Sequence, residues 1–177
     1  MSKEKSKNFN SKMLTQLGLL IALQVILTRF LSIQTPIVRI GFGFLPIAIM
    51  GILFGPWIGG IGATISDLLG FVLFPSGTYF PGFTLTAFLT GFTYGALLYN
   101  KSKSPLRILS STLIVCLLLN LVLDTLWLSI LMGKGYMALL PTRIIKSLVM
   151  VPVQFISIAL VWDKFLNKVR GLISVKQ

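Results

Sequence analysis

Long apolar runs set the terms for this chain. Residues 13–32, 44–74, 83–99, 108–131 and 142–166 are largely apolar, and short polar segments between them carry most of the lysines and arginines. One helical crossing of a bilayer core takes roughly 20 apolar residues. A segment in lipid must satisfy its own backbone hydrogen bonds, which makes helices the solution for runs of this length. The run 44–74 is too long for one span and too short for two long ones, and FGPW at 54–57 breaks it. A tight Gly-Pro turn there predicts helices over about 44–54 and 56–74, the first of them short. The result is six helices, the last expected to kink at Pro152. The predicted fold class is an all-α integral membrane protein, with six transmembrane helices in a compact bundle.

Composition agrees. The chain is 55% hydrophobic and 11% charged, where soluble domains average about 25% charged residues, and its mean hydropathy is +0.90. A length of 177 residues predicts one domain: a basic tail over 1–12, a membrane domain over 13–166 and a second basic tail over 167–177. A basic start before an apolar run also resembles a signal peptide. No small-residue cleavage site follows, however, and Arg29 comes next, so 13–32 is read as the first span.

The net charge of +12 would suit nucleic acid. The cations instead form short clusters between apolar runs, which suits the anionic surface of a lipid bilayer and argues against a nucleic-acid partner. The absence of histidine excludes a His-based metal site and a His general base. The single cysteine, Cys116, cannot form an intrachain disulfide. There is no GxxxxGK[ST] loop for ATP and no H-E-x-x-H or Ser-His-Asp set. No catalytic residue, metal or cofactor is expected. The absence of an obvious inverted repeat argues against a complete secondary transporter.

The loops orient the bundle. With both termini inside, the inner segments hold eleven of the sixteen cations, including Lys101, Lys103 and Arg107 in the loop 99–107, as the positive-inside rule requires. The cell membrane is the expected location, with both termini cytoplasmic. The other five cations, Arg29, Arg39, Lys134, Arg143 and Lys146, fall at or near outer helix ends or in the outer loops 33–43 and 132–141. Asp67 and Asp124 each sit about seven residues from an outer helix end, roughly 10 Å deep at 1.5 Å per residue. Charge inside the bundle is thus gathered in its outer half, and intramembrane ionisable groups point to function.

Several groupings are candidates for a site. Asn120, Asp124 and Trp127 fall on one helical face at i, i+4 and i+7. An amide, a carboxylate and a flat indole suit a heteroaromatic ligand, because a carboxylate accepts two hydrogen bonds from an amino-pyrimidine edge. A polar packing seam is the plain structural alternative. Asp67, on a face with Gly59, Ala63 and Gly70, either contacts ligand or pairs with a cation. Arg143 and Lys146, three apart in PTRIIK, either grip an anion carrying carboxylates, pair with the two aspartates, or snorkel to the outer interface. Arg39 is a further cation at the outer end of the second helix, or a solvated loop charge. Tyr79 and Phe83, with Phe74 and Phe80, form either a lid or an aromatic belt. Gly18 and Ala22 make a small-xxx-small face suited to a neighbouring helix, in this chain or a partner.

The stretches RIGFGFLPIAIMGILFGPWIGGIGATISDLLGF (39–71) and FPSGTYFPGFT (74–84) resemble the substrate-binding S components of energy-coupling factor vitamin transporters. With DTLWLSILMGKGY (124–136) and PTRIIKSLVMVPVQ (141–154), the likeness is greatest to the folate-specific members. The resemblance implies six helices with an outward-facing pocket, roofed by the loop between the first two. It implies tight folate binding without ATP hydrolysis. A transmembrane T subunit and two ABC-type ATPase subunits would supply the energy, and the S component would topple in the membrane to carry its ligand inward. Many family members dock the T subunit on an Ala-x-x-x-Ala face of the first helix; here the positions are Gly18 and Ala22. Chemistry alone divides folate between Asp124, Asn120 and Trp127 for the head and Arg143, Lys146 and Arg39 for the glutamate tail. The competing readings are an S component for another vitamin such as riboflavin or biotin, an intramembrane enzyme acting on lipid through Asp67 or Asp124, and a small channel or assembly protein. Thiamine, a cation, would need an acidic excess in the pocket.

Overall fold

A computed structural model describes residues 11–35, 37–75, 77–102 and 104–162. Most of the two expected tails, and residues 163–166 of the expected last helix, lie outside the described residues. Six helices are described: α1 (Ser11–Arg29), α2 (Phe44–Phe54), α3 (Pro56–Leu73), α4 (Pro81–Leu98), α5 (Pro105–Met132) and α6 (Tyr136–Val161). Four of them, α1, α3, α5 and α6, are long and apolar enough to cross a membrane. The short α2, with 11 residues, spans about 16 Å. The 18 residues of α4 would reach across, but Thr84, Thr86, Thr90, Thr93 and Tyr94 dilute its apolar character.

The FGPW break is built as expected. Gly55 takes a φ of +94°, a conformation open to glycine and costly for other residues, and Pro56 starts α3, where its missing N–H costs nothing. The hydrophobicity of α2 runs all round the helix because it is enclosed: most of its residues are buried, with Met50 and Ile52 sealed at 0% and 1% exposure. Helices α2, α3 and α4 meet backbone to backbone through glycine. A Cβ on Gly59 would stand 2.7 Å from the Gly51 Cα and 3.0 Å from the Gly91 carbonyl. Small residues thus lock three helices at a spacing no larger side chain would permit.

Helix α5 is not uniform. Its α-helical ends, Pro105–Leu113 and Asp124–Met132, flank a ten-residue π-helical stretch, Ile114–Leu123. Such widened turns shift the phase of one helical face against the next and recur at functional sites.

Two expectations need correction. Residues 33–43 are not a plain loop: β1 (Ser32–Gln34) and β2 (Arg39–Gly41) pair antiparallel, with Ile33 opposite Ile40. Thr35 closes the turn, its N–H and hydroxyl both donating to the Val38 carbonyl at 2.8 and 2.9 Å. Three-residue strands around a proline fall below the length at which alternation is legible. The second correction is the start of α6. It begins at Tyr136, after a short connection in which Gly133 takes a φ of +63°, and continues through both Pro141 and Pro152. Pro141 lies inside the helix rather than at its boundary, so Arg143 and Lys146 sit about two and three turns in.

The apolar core joins Leu17 and Leu20 of α1, the centre of α2, Tyr94, Leu98, Ile108, Val115 and Ile158. The same cluster extends through Phe44 and Ile47 of α2 and Met150 of α6.

Candidate functional site

All six helices line a cavity of about 780 Å³. Helix α1 packs on α2, α3 and β1, whereas α5 and α6 pack on each other, α5 also on α4 and α6 also on α2. The cavity lies between these groups. At one end it meets Thr35, Ile37 and Val38 of the hairpin and Gly77, Thr78 and Tyr79 of the α3–α4 loop. At the other end Gln154 lines it, and the fully buried Tyr94 hydroxyl donates to Gln154 Oε1 at 2.9 Å.

Arg143 shows how the sequence builds this site. In an α-helix the Asp124 N–H would bond to the Asn120 carbonyl. In the widened stretch it bonds to the Leu119 carbonyl instead. The Asn120 carbonyl accepts from Arg143 Nη1 at 3.1 Å, and the same nitrogen donates to Thr125 Oγ1 at 3.3 Å. Nη2 donates to the carbonyl of Ile37, in the hairpin turn, at 3.3 Å. Arg143 is only 6% exposed; it reaches inward and does not snorkel. One guanidinium therefore ties α6 to α5 and both to the hairpin.

The aspartates occupy different settings. Asp124 feels the charges of Lys146 and Arg143, and the Thr86 hydroxyl near it donates to the Gly82 carbonyl at 3.1 Å. Asp67 Oδ2 accepts from Thr84 Oγ1 at 2.9 Å. That bond uses the Thr84 proton, so the Tyr79 hydroxyl, 3.2 Å away, donates to Thr84. This chain fastens the α3–α4 loop to α3. Arg29, at the end of α1, feels the Asp67 charge. Among the described residues the lining carries three cations, Arg29, Arg143 and Lys146, and two carboxylates, Asp67 and Asp124. No group of three His, Cys, Asp or Glu is placed to hold a metal ion among those residues.

The expected site residues come together unevenly. Asp124, Asn120, Arg143, Lys146, Asp67, Tyr79 and Phe83 all line the cavity. Trp127 does not. Its Nε1 donates to Thr86 Oγ1 at 3.2 Å, and its ring packs on Phe80 at 5.7 Å and over Gly82. Beyond Asp124 the lining face continues through Leu128 and Leu131, so the indole falls on the flank toward α4. Phe80 lines the cavity, but Phe74 packs edge-on against Phe30 at 4.9 Å. The backbone of Arg39 lies in β2; the expectation for its side chain lies outside what the structure describes. Gly18 and Ala22 are on an exposed face of α1, with nothing within 4 Å of a Cβ placed on Gly18. Among the described residues, nothing packs against Gly18 on that face.

Sequence reasoning passed over Gln24 and Thr28 of α1 and Ser147 and Gln154 of α6, which also line the cavity. The signal was present. Gln24 and Thr28 are polar residues four apart in an apolar run, and Arg143, Ser147 and Gln154 continue one face at helical spacing.

Residues 12–162 match the family model of the ECF transporter substrate-specific component. The chain is 46% identical over 158 residues to the folate transporter FolT of Clostridium novyi (strain NT), covering 86% of this chain and 92% of that protein. It is 28% identical over 144 residues to the folate transporter FolT of Leuconostoc mesenteroides subsp. mesenteroides, covering 78% of this chain and 77% of that protein. Among solved structures, the crystal structure of FolT bound with folic acid superposes with a TM-score of 0.80 at 40% identity, covering 84% of this chain and 90% of the other.

Proposed function

Because the chain belongs to the family of ECF transporter substrate-specific components, we propose that its cavity is a folate site and that the chain is the folate-binding membrane subunit of such a transporter. The observation that carries this reading is the cavity itself, about 780 Å³ and within the roughly 300–1,000 Å³ typical of small-molecule sites, with carboxylates and cations distributed over its walls. Its relatives named as folate transporters, and the neighbour bound to folic acid, support the choice of vitamin.

Within the cavity, Asp124 and Asn120 read the amino-pyrimidine edge of the pterin, since a carboxylate accepts two parallel N–H bonds. Trp127 backs that wall through Thr86 and does not stack on the ligand. Lys146 supplies positive charge for the glutamate tail. Arg143 contributes charge to the tail, because three of its donor bonds already go to protein oxygens. The hairpin and the α3–α4 loop roof the ligand, with the hairpin end of the bundle facing outward and both termini cytoplasmic. The chain has no Walker A loop. A transmembrane T subunit docking on the Gly18 and Ala22 face and two ATPase subunits would supply the energy, and the six-helix bundle would reorient to release folate inward.

Titration calorimetry of the purified chain in detergent, against folate and a panel of vitamins, tests this reading. Folate is expected to bind tightly, and Asp124→Asn to weaken it at least about tenfold, or about 1.4 kcal/mol. Binding of riboflavin or biotin in place of folate would keep the family and overturn the substrate. Unchanged folate binding by Asp124→Asn would move the head group elsewhere in the cavity.

A further inference from the structure

The α1 wall of the cavity presents hydrogen-bond acceptors that nothing in the protein uses. Gln24 lines the cavity and is only 6% exposed, yet its Oε1 has no hydrogen-bond partner. One turn along, Thr28 Oγ1 is buried in the same condition. A buried acceptor left unpaired carries the uncompensated cost of its desolvation. A glutamine inside an apolar helix is also an expensive choice, where leucine would serve packing equally well. A ligand that brings an N–H to this wall recovers that cost on binding.

The chemistry of the acceptor limits what can meet it. A carboxylate tail offers no hydrogen to Oε1. Resting on the folate reading above, the donor-rich part of the ligand is the pterin head. A carboxylate that engages the N3–H and 2-amino edge takes only one of the two amino hydrogens. The second remains to be placed. We propose that Gln24 is a specificity-determining residue whose side-chain carbonyl accepts a hydrogen bond from the 2-amino group of the pterin.

The test pairs a protein change with a ligand change. Gln24→Leu is titrated with folic acid and with 2-desamino-2-methylfolic acid, which lacks that donor, and the ligand-free protein is melted in the same detergent. The expected result is a loss of about tenfold or more for folic acid, little or no loss for the analogue, and a ligand-free Tm that is unchanged or raised, because an unpaired buried acceptor has been removed. An equal loss for both ligands, or none for folic acid, overturns the proposal; a lowered ligand-free Tm with equal losses identifies a structural role. Should Gln24→Leu not be recovered folded, Gln24→Met carries the same comparison. If the unsubstituted chain binds no folic acid, the folate reading itself has failed. Binding by that chain with an unaffected variant sinks the Gln24 assignment alone.

Discussion

Replacing Arg143 by methionine should free the hairpin while leaving the bundle folded. Methionine keeps an unbranched side chain of similar reach and removes the three donor bonds, to Asn120 O, Thr125 Oγ1 and Ile37 O. Within the bundle, the loss of the first two is offset by removing a buried charge. The bond to Ile37 has no such offset, because it is the guanidinium's hold on the turn between β1 and β2. A hydrogen bond from a charged donor contributes about 1.5–3 kcal/mol. At 3.3 Å this one lies just beyond the usual range of about 2.7–3.2 Å, so the lower figure applies. About 1.5 kcal/mol corresponds to roughly a tenfold shift in the opening equilibrium of the hairpin. Hydrogen exchange of the ligand-free protein in nanodiscs reads that equilibrium directly. Amides of residues 32–41 should exchange about tenfold faster in Arg143→Met, while those around Gly51, Gly59 and Gly91 keep the rate of the unsubstituted chain. Unchanged exchange in 32–41 would refute the tether. A uniform rise across the molecule would show that Arg143 supports the whole bundle instead.

Two further outcomes follow from the packing. Gly91→Val sets side-chain carbons against the Gly59 backbone, which cannot move without separating α3 from α4. Overpacking of this kind costs about 1–3 kcal/mol or more, and a marked fall in detergent Tm is expected; a Tm unchanged from the unsubstituted chain would mean the helices are not in backbone contact. Gly18→Trp, on an open face of α1, should leave folate binding by the isolated chain within about twofold, since surface changes move stability by about 0.5 kcal/mol or less. The same change should abolish folate uptake by cells carrying the energising subunits, and normal uptake would remove α1 from the docking surface.

Much of this architecture could be read from the residues. Apolar runs, glycine-proline punctuation and basic loops determine helices, breaks and the chain's place in a membrane, because hydrocarbon leaves the backbone few alternatives. FGPW predicted the α2–α3 turn, and the spacing of Asn120 and Asp124 predicted a shared face, because both depend on contacts within a few residues. The signals that failed were those that depend on distant partners. The hairpin at 32–41 is too short to announce itself and is held in part by Arg143, more than a hundred residues away in the chain. The π-helical stretch of α5 has no signature in the local residues, and Trp127 falls outside the lining that ideal helical periodicity assigns it. Arg143 reads equally well as a snorkelling cation, an ion-pair partner or an anion clamp, since position along a helix does not say what lies across from it. Local chemistry determined which residues could serve a site; only the tertiary structure decided which of them face one cavity, because that choice is made by helix phase and by contacts between segments far apart in sequence.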